Sequence, residues 1–130
     1  MIETRILNPH LLALLARVRH TNRLVLADAM FPSWPDIPEV DLSIVAGLPT
    51  LPQVLAAIRA TWKPGVIWMA EEFNRHNDSA VRAEFTEAMG EGCPVEWEPH
   101  LRLKERVPGS IGLIRTGEMR IYTNVVMESR

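Results

Sequence analysis

Apolar residues along the chain follow two patterns, one typical of helices and one typical of buried strands. At positions 11, 14, 15 and 18 they have the i, i+3, i+4, i+7 spacing of a helix with one apolar face, and Asn8-Pro9 supplies an N-cap followed by proline. The runs 24–27 and 66–70 are almost continuously apolar, as in strands covered on both faces. The pattern therefore predicts helices alternating with buried strands.

Prolines and capping residues mark where these elements begin and end. Three prolines within positions 31–38 rule out a helix there and favour an ordered loop. Thr50 and Gln53 have the spacing of a capping box, which predicts a second helix ending near Trp62. Asn77 or Asp78 is placed to cap a third helix.

The last apolar run, at positions 119–127, predicts a strand that carries two polar side chains. Because successive strand side chains alternate between faces, Met119, Ile121 and Val125 would share an apolar face. Tyr122 and Asn124 would point together to the other side. A phenol and a carboxamide on one face predict a polar partner, either a pocket or a neighbouring subunit.

The order of the elements predicts the fold class. Helices alternating with mostly apolar strands, followed by a C-terminal hairpin, indicate an α/β fold with layers around a mixed sheet. A chain of 130 residues can bury one sizeable core and is too short for two ordinary domains. We therefore expect a single domain over residues 1–130.

Composition narrows the range of partners and compartments. The net charge of -2 and the absence of a basic stripe give no reason to expect nucleic acid or an anionic membrane, so small neutral ligands fit better. No apolar run approaches the roughly 20 residues of a membrane span, and the N-terminus lacks the order of a signal peptide. The single cysteine, Cys93, is interpreted as an inert thiol and suits a reducing compartment. A cytoplasmic, soluble protein is expected.

Three side chains are candidates for chemistry, each with a simpler alternative. His20 follows the first helix, and imidazole side chains are suited to proton transfer near neutral pH. The simpler alternative is that His20 only interacts favourably with the dipole at the end of that helix. Asp28 ends an apolar strand, where a carboxylate can take hydroxyl hydrogen bonds or merely cap a loop. His100 begins a short predicted helix and faces either a pocket or solvent.

Other kinds of site have little support in the sequence. The four histidines and one cysteine lack metal-ligand spacing, and there is no glycine-rich phosphate loop, so neither metal nor cofactor is expected. Glu71 and Glu72 would point to opposite faces if the strand before them continued. Among the tryptophans, Trp34 in the proline loop is the best placed to stack on a ligand.

A series of short stretches is spread over nearly the whole chain: 19–22 (RHTN), 28–32 (DAMFP), 40–42 (VDL), 47–49 (GLP), 53–55 (QVL) and 115–118 (RTGE) through 122–124 (YTN). In the order and spacing of these stretches, the chain resembles the D-ribose pyranase and L-fucose mutarotase family. Arg19 and Asn22 stand where the family has glycine and aspartate. Each stretch is a weak signal by itself, whereas their order is specific.

The resemblance implies a function and a set of roles. It implies a single three-layer α/β/α domain that opens and recloses cyclic monosaccharides without a cofactor, with His20 as the catalytic acid and base. Asp28, His100, Tyr122 and Asn124 match substrate-binding positions. The family forms homo-oligomeric rings, decamers among them, with sites built between neighbouring subunits.

The resemblance leaves the branch of the family and the activity open. Phe31-Pro32 is similar to the mutarotase branch, whereas His100 and the pair His76-Asn77 are similar to the pyranase branch. D-ribose pyranase is the first hypothesis and L-fucose mutarotase the second. The altered neighbours of His20 motivate a third, a non-catalytic sugar-binding accessory of a sugar transport operon.

Overall fold

The computed structural model describes residues 3–130, which form helices on both sides of one sheet. The helices are α1 (Pro9–Ala16), α2 (Leu51–Thr61), α3 (Glu72–His76), α4 (Ser79–Met89) and α5 (His100–Glu105), with a 3₁₀ turn at Val107–Gly109. The strands are β1 (Arg23–Ala27), β2 (Glu39–Asp41), β3 (Val66–Ala70), β4 (Val95–Glu98), β5 (Gly112–Arg115) and β6 (Val125–Glu128).

The predicted helix starts are confirmed, with the capping chemistry that the sequence indicated. The Asn8 side chain accepts a hydrogen bond from the Leu11 amide at 3.0 Å. Thr50 and Gln53 form a complete capping box at the start of α2, and Asp78 caps α4. These caps fill the unpaired donors of the first turns, so the polar residues define where each helix begins.

The sheet has the order β2-β5-β1-β6-β3-β4. Strand β1 is parallel to β5, β5 to β2, and β3 to β4. Strand β6 is antiparallel to both of its neighbours, β1 and β3. Five strands therefore point the same way and one central strand runs against them, as the predicted mixed sheet requires.

Alternation along the strands divides the core into two layers, which confirms the α/β/α fold class. Leu24 and Leu26 face α1, α2 and α4, whose apolar sides supply most of that layer. Val25 and Ala27 face the thinner opposite layer, made by α5, the 3₁₀ turn and the proline loop. Such two-sided covering explains why the strand sequences are almost continuously apolar.

The prediction of a strand over positions 119–127 is wrong for its first half. Strand β6 begins only at Val125, and Met119 and Ile121 are exposed rather than part of an apolar face. The Glu118 carboxylate accepts the amides of Met119 and Arg120 at 3.0 and 3.1 Å, which turns the chain into a loop. Local side-chain hydrogen bonds to the backbone thus replace the sheet ladder here.

A further difference concerns a short helix between β3 and α4. The chain leaves β3 at Ala70 and forms α3, which the sequence reading missed, so Glu71 and Glu72 do not continue a strand. Strand β2 is only three residues long and lies at one edge of the sheet. Within residues 3–130, no helix is long and apolar enough to cross a membrane.

Candidate functional site

A cavity of about 300 Å³ opens at the edge of the sheet where the parallel strands end. Four predicted site residues line it together, Asp28, His100, Tyr122 and Asn124. Asp28 follows β1, His100 follows β4, and the other two precede the antiparallel β6. The carboxyl ends of parallel strands and the amino end of β6 therefore meet at one place, where open α/β sheets commonly bind ligands.

The Asn124 side chain is hydrogen-bonded to the backbone of Asp28. The Asn124 side-chain oxygen accepts a hydrogen bond from the Asp28 amide at 2.8 Å. One Asp28 carboxylate oxygen accepts the amide of Met30 at 3.0 Å, so Asp28 caps this loop and also lines the cavity. Burial raises the pKa of Asp28, and these hydrogen bonds only partly oppose that effect.

Arg115 fixes the backbone of the loop that carries Asp28. Arg115 is 7% exposed, and its guanidinium donates to the carbonyls of Asp28, Ala29 and Phe31. It also pairs with Glu39 through two hydrogen bonds of 2.8 and 3.1 Å. One buried cation thus holds the cavity floor to the edge strand β2.

His100 begins α5 with its imidazole at the cavity. Both Glu72 carboxylate oxygens accept the His100 amide, at 3.0 and 3.1 Å, so the carboxylate from α3 caps α5. Burial lowers the pKa of His100, and the Lys104 ammonium lowers it further. Within residues 3–130 its Nδ1 is buried without a hydrogen-bond partner, which disfavours the doubly protonated imidazolium.

His20 lies at the opposite end of the sheet. It is exposed in the turn before β1, whereas Asp28 follows β1. The five residues of β1 alone put roughly 15 Å between the two ends. Within one chain, the structure therefore does not bring His20 to the cavity.

The turn at His20 is well formed despite its two unusual residues. The Asn22 side-chain oxygen accepts the Arg19 amide at 2.8 Å, as an aspartate oxygen in that position would. The Arg19 guanidinium donates to the carbonyls of Ala16 and Val18. Thr21 has φ = 67° and its amide bonds to Ser129. The turn is therefore closed on both sides of the histidine.

A charged residue of the cavity, Lys104, was missed from the sequence, and one candidate, Trp34, was misplaced. Lys104 lines the cavity four residues after His100, so the i, i+4 spacing of the predicted helix was the available signal. Trp34 does not line this cavity but packs against the apolar layer on the α5 side of the sheet. Trp34 thus contributes to core packing, which is the commoner role of a tryptophan side chain.

Other reactive groups lie outside the cavity. Burial raises the pKa of the Cys93 thiol, whose Sγ donates to the Pro64 carbonyl, and this agrees with an inert cysteine. In the part of the chain that the structure describes, no group of three or more histidine, cysteine or acidic side chains is arranged to hold a metal. The cavity thus offers hydroxyl-binding groups and a histidine.

The fold and site define a small α/β protein with a polar pocket for a small ligand at the carboxyl ends of its strands. A model of the RbsD / FucU transport protein family matches residues 1–129. The chain belongs to this family.

Relatives and solved structures agree with that assignment. The D-ribose pyranase of Geobacillus kaustophilus (strain HTA426) is 35% identical over 132 residues, covering 99% of this chain and 93% of that protein. The structure of Bacillus subtilis RbsD complexed with D-ribose matches with a TM-score of 0.89 at 29% identity, covering 99% and 97% of the two chains. A fucose mutarotase from Streptococcus pneumoniae in complex with L-fucose has a TM-score of 0.80, 18% identity and the same coverage, so its likeness concerns the fold alone.

Proposed function

We propose that the protein is a cofactor-independent sugar isomerase, a D-ribose pyranase that interconverts the pyranose and furanose forms. The observation that carries the proposal is the convergence of Asp28, His100, Tyr122 and Asn124 on one cavity. Carboxylate, imidazole, phenol and carboxamide together supply the donors and acceptors that bind sugar hydroxyls. The similarity to a D-ribose pyranase over 99% of the chain supports ribose as the sugar.

The reaction asks only for proton transfer and positioning. A base removes the proton of the anomeric hydroxyl, the bond from the anomeric carbon to the ring oxygen breaks, and an acid protonates that oxygen. Reclosure through a different hydroxyl gives the furanose, with no net gain or loss of electrons. General acid-base catalysis by a histidine contributes about 10² to 10⁴-fold to such a step.

His20 is the proposed acid and base, and it would reach the cavity from a neighbouring subunit. Its position at the other end of β1 supports this arrangement, because a single chain keeps it away from Asp28. Met30 and Ile121 line the cavity, Met119 lines an adjacent pocket, and all three are exposed apolar side chains, as a subunit contact would require. The proposal includes assembly into a homo-oligomeric ring, a decamer as the family resemblance implies. It also places the protein in the cytoplasm.

Saturation-transfer NMR on D-ribose tests the proposal. The protein should accelerate exchange between pyranose and furanose signals, and His20→Ala should reduce that acceleration about 10² to 10⁴-fold. His10→Ala is the matched control, since His10 is an exposed histidine on α1 outside this cavity. An unchanged rate for His20→Ala would overturn the role of His20.

The same experiment separates the two other hypotheses. Faster anomeric exchange of L-fucose than ring exchange of D-ribose would identify a mutarotase. Ribose binding without any acceleration would identify a non-catalytic accessory. The closed turn around His20 argues against the accessory, because Asn22 keeps the hydrogen bond to the Arg19 amide.

A further inference from the structure

Tyr122 has an unusual backbone at the mouth of the cavity. Its φ is 57°, in the left-handed region that residues other than glycine seldom adopt. A bulky aromatic residue remains in that region only where its surroundings hold it there. The conformation is what directs the side chain from an exposed loop into the cavity lining.

The segment at the end of α3 contacts Tyr122 on both its backbone and its ring. The Asn77 side-chain amide donates to the Ile121 carbonyl at 3.0 Å and to the Phe73 carbonyl at 3.2 Å. The His76 ring lies 4.9 Å from the Tyr122 ring, and the His100 ring lies 5.3 Å from it, edge-on. The peptide group before Tyr122 is therefore tied to α3, and its ring lies against two imidazoles.

We propose that His76 and Asn77 are positioning residues that hold the Tyr122 hydroxyl where the sugar binds. The inference rests on the proposed function. The amide of Asn77 fixes the left-handed backbone, while the His76 ring limits the rotation of the phenol. A hydroxyl held in place before binding spares the ordering cost that a free side chain would add. Neither residue transfers a proton in this scheme.

The chain offers a direct probe, because Tyr122 is its single tyrosine. Protein made with 3-fluorotyrosine carries one fluorine label, whose ¹⁹F signal reports the order of this ring alone. In Asn77→Asp a carboxylate would face the two carbonyls that the amide now serves. We expect a shifted or broadened ¹⁹F line in this variant.

Kinetics on the unlabelled proteins separate positioning from general damage. For Asn77→Asp the half-saturating D-ribose concentration should rise about tenfold, because the hydrogen bond from the Tyr122 hydroxyl to the sugar would be lost. The maximal exchange rate should stay within about twofold, since binding rather than proton transfer is weakened. Asn74→Asp makes the same chemical change on the exposed side of α3 and should leave both the ¹⁹F line and the kinetics unchanged.

A second variant keeps the test decisive if Asn77→Asp does not fold. His76→Ala removes an exposed ring and should shift the ¹⁹F line and raise half-saturation about threefold. A folded variant of either kind with the wild-type ¹⁹F line and half-saturation would overturn the proposal. Absence of exchange activity in the wild type would instead defeat the proposed function, while the ¹⁹F line would still report the positioning.

Discussion

The two ends of the sheet differ in how their polar groups are held. At the carboxyl end, Asp28 and Asn124 are bonded to each other and the loop beneath them is fixed by Arg115. At the amino end, His20 is exposed in a turn that is closed by the local bond between Asn22 and the Arg19 amide and by backbone bonds to Ser129. The groups that line the cavity are therefore held by contacts within one chain, whereas the proposed proton-transfer group, His20, lies outside the cavity.

That difference teaches where assembly matters. Because the cavity groups are ordered by contacts within the chain, a lone subunit should bind sugar weakly but recognisably. Because His20 lies beyond β1, a lone subunit should not catalyse ring opening through it. Binding and catalysis would then depend differently on oligomerisation. Each of the following changes alters one end of the sheet or both.

The largest expected effect comes from mixing two inactive variants, His20→Ala and Asn124→Ala. Each should lose most of its activity as a pure oligomer. After joint unfolding and reassembly in equal amounts, about one quarter of the sites in a ring would combine an intact cavity with an intact His20. Exchange of D-ribose, followed by saturation-transfer NMR, should recover to that fraction.

The mixing experiment has a clear contrary result. If one chain supplied both groups to each site, every site in the mixture would still lack one of them. Activity would then remain at the level of the separate variants, and the comparison between the two ends would lose its meaning. His10→Ala mixed with Asn124→Ala provides the control for reassembly.

Removing an arginine at each end should cost very different amounts of stability. Arg115→Met leaves three loop carbonyls without their donor and should lower the free energy of unfolding by about 3 kcal/mol. Arg23→Met breaks a pair with Glu128 whose arginine is 32% exposed, and should cost about 0.5 kcal/mol. Urea denaturation measures both. Equal losses would contradict the contrast.

Asp28→Asn should weaken activity while it stabilises the fold at neutral pH. Loss of a charged acceptor for a sugar hydroxyl should raise half-saturation about 10 to 100-fold. Burial raises the pKa of Asp28 above its ordinary value of 3.8, so the native state favours the protonated form. The free energy of unfolding therefore falls as pH rises from 3.8 through the raised pKa of the native state. The uncharged amide in Asp28→Asn avoids this loss. Thermal unfolding at several pH values checks the sign.

Glu128→Gln, at the opposite end, should have the smallest effect and the reverse pH dependence. The Arg23 guanidinium lowers the pKa of Glu128 below its ordinary value of 4.5, so the ion pair stabilises the fold above that pH. Its contribution is lost as pH falls through the lowered pKa. We expect a loss below about 1 kcal/mol at neutral pH that disappears in acid. A difference that persists in acid would show a packing effect instead.

Much of the fold was predictable because its signals are local. The caps at Asn8 and Thr50 and the apolar run at Val66–Ala70 each act within a few residues, so the sequence alone located those elements. The site residues were predictable mainly through the resemblance, since Asp28 and His100 each had an ordinary alternative. Their convergence depends on the sheet order, which no local pattern encodes.

The failures have a common physical cause in glutamate carboxylates that accept backbone amides, some of them distant in sequence. The run at positions 119–127 alternates like a strand, but the buried Glu118 carboxylate collects its first amides and also accepts the amide of Leu51 from α2. Tyr122 and Asn124 do share the cavity, though through a loop rather than through strand alternation. Helix α3 is one short turn that caps α5 through Glu72, a contact 28 residues away in sequence.

The position of β6 has a consequence for how the protein is made. Among the elements of residues 3–130 this strand comes last in sequence, yet it lies between β1 and β3 in the middle of the sheet. During synthesis we expect β2-β5-β1 and β3-β4 to keep unpaired edges until β6 leaves the ribosome and pairs with both. The same segment brings Tyr122 and Asn124, so a part translated after the other five strands both joins the two halves of the sheet and completes the cavity.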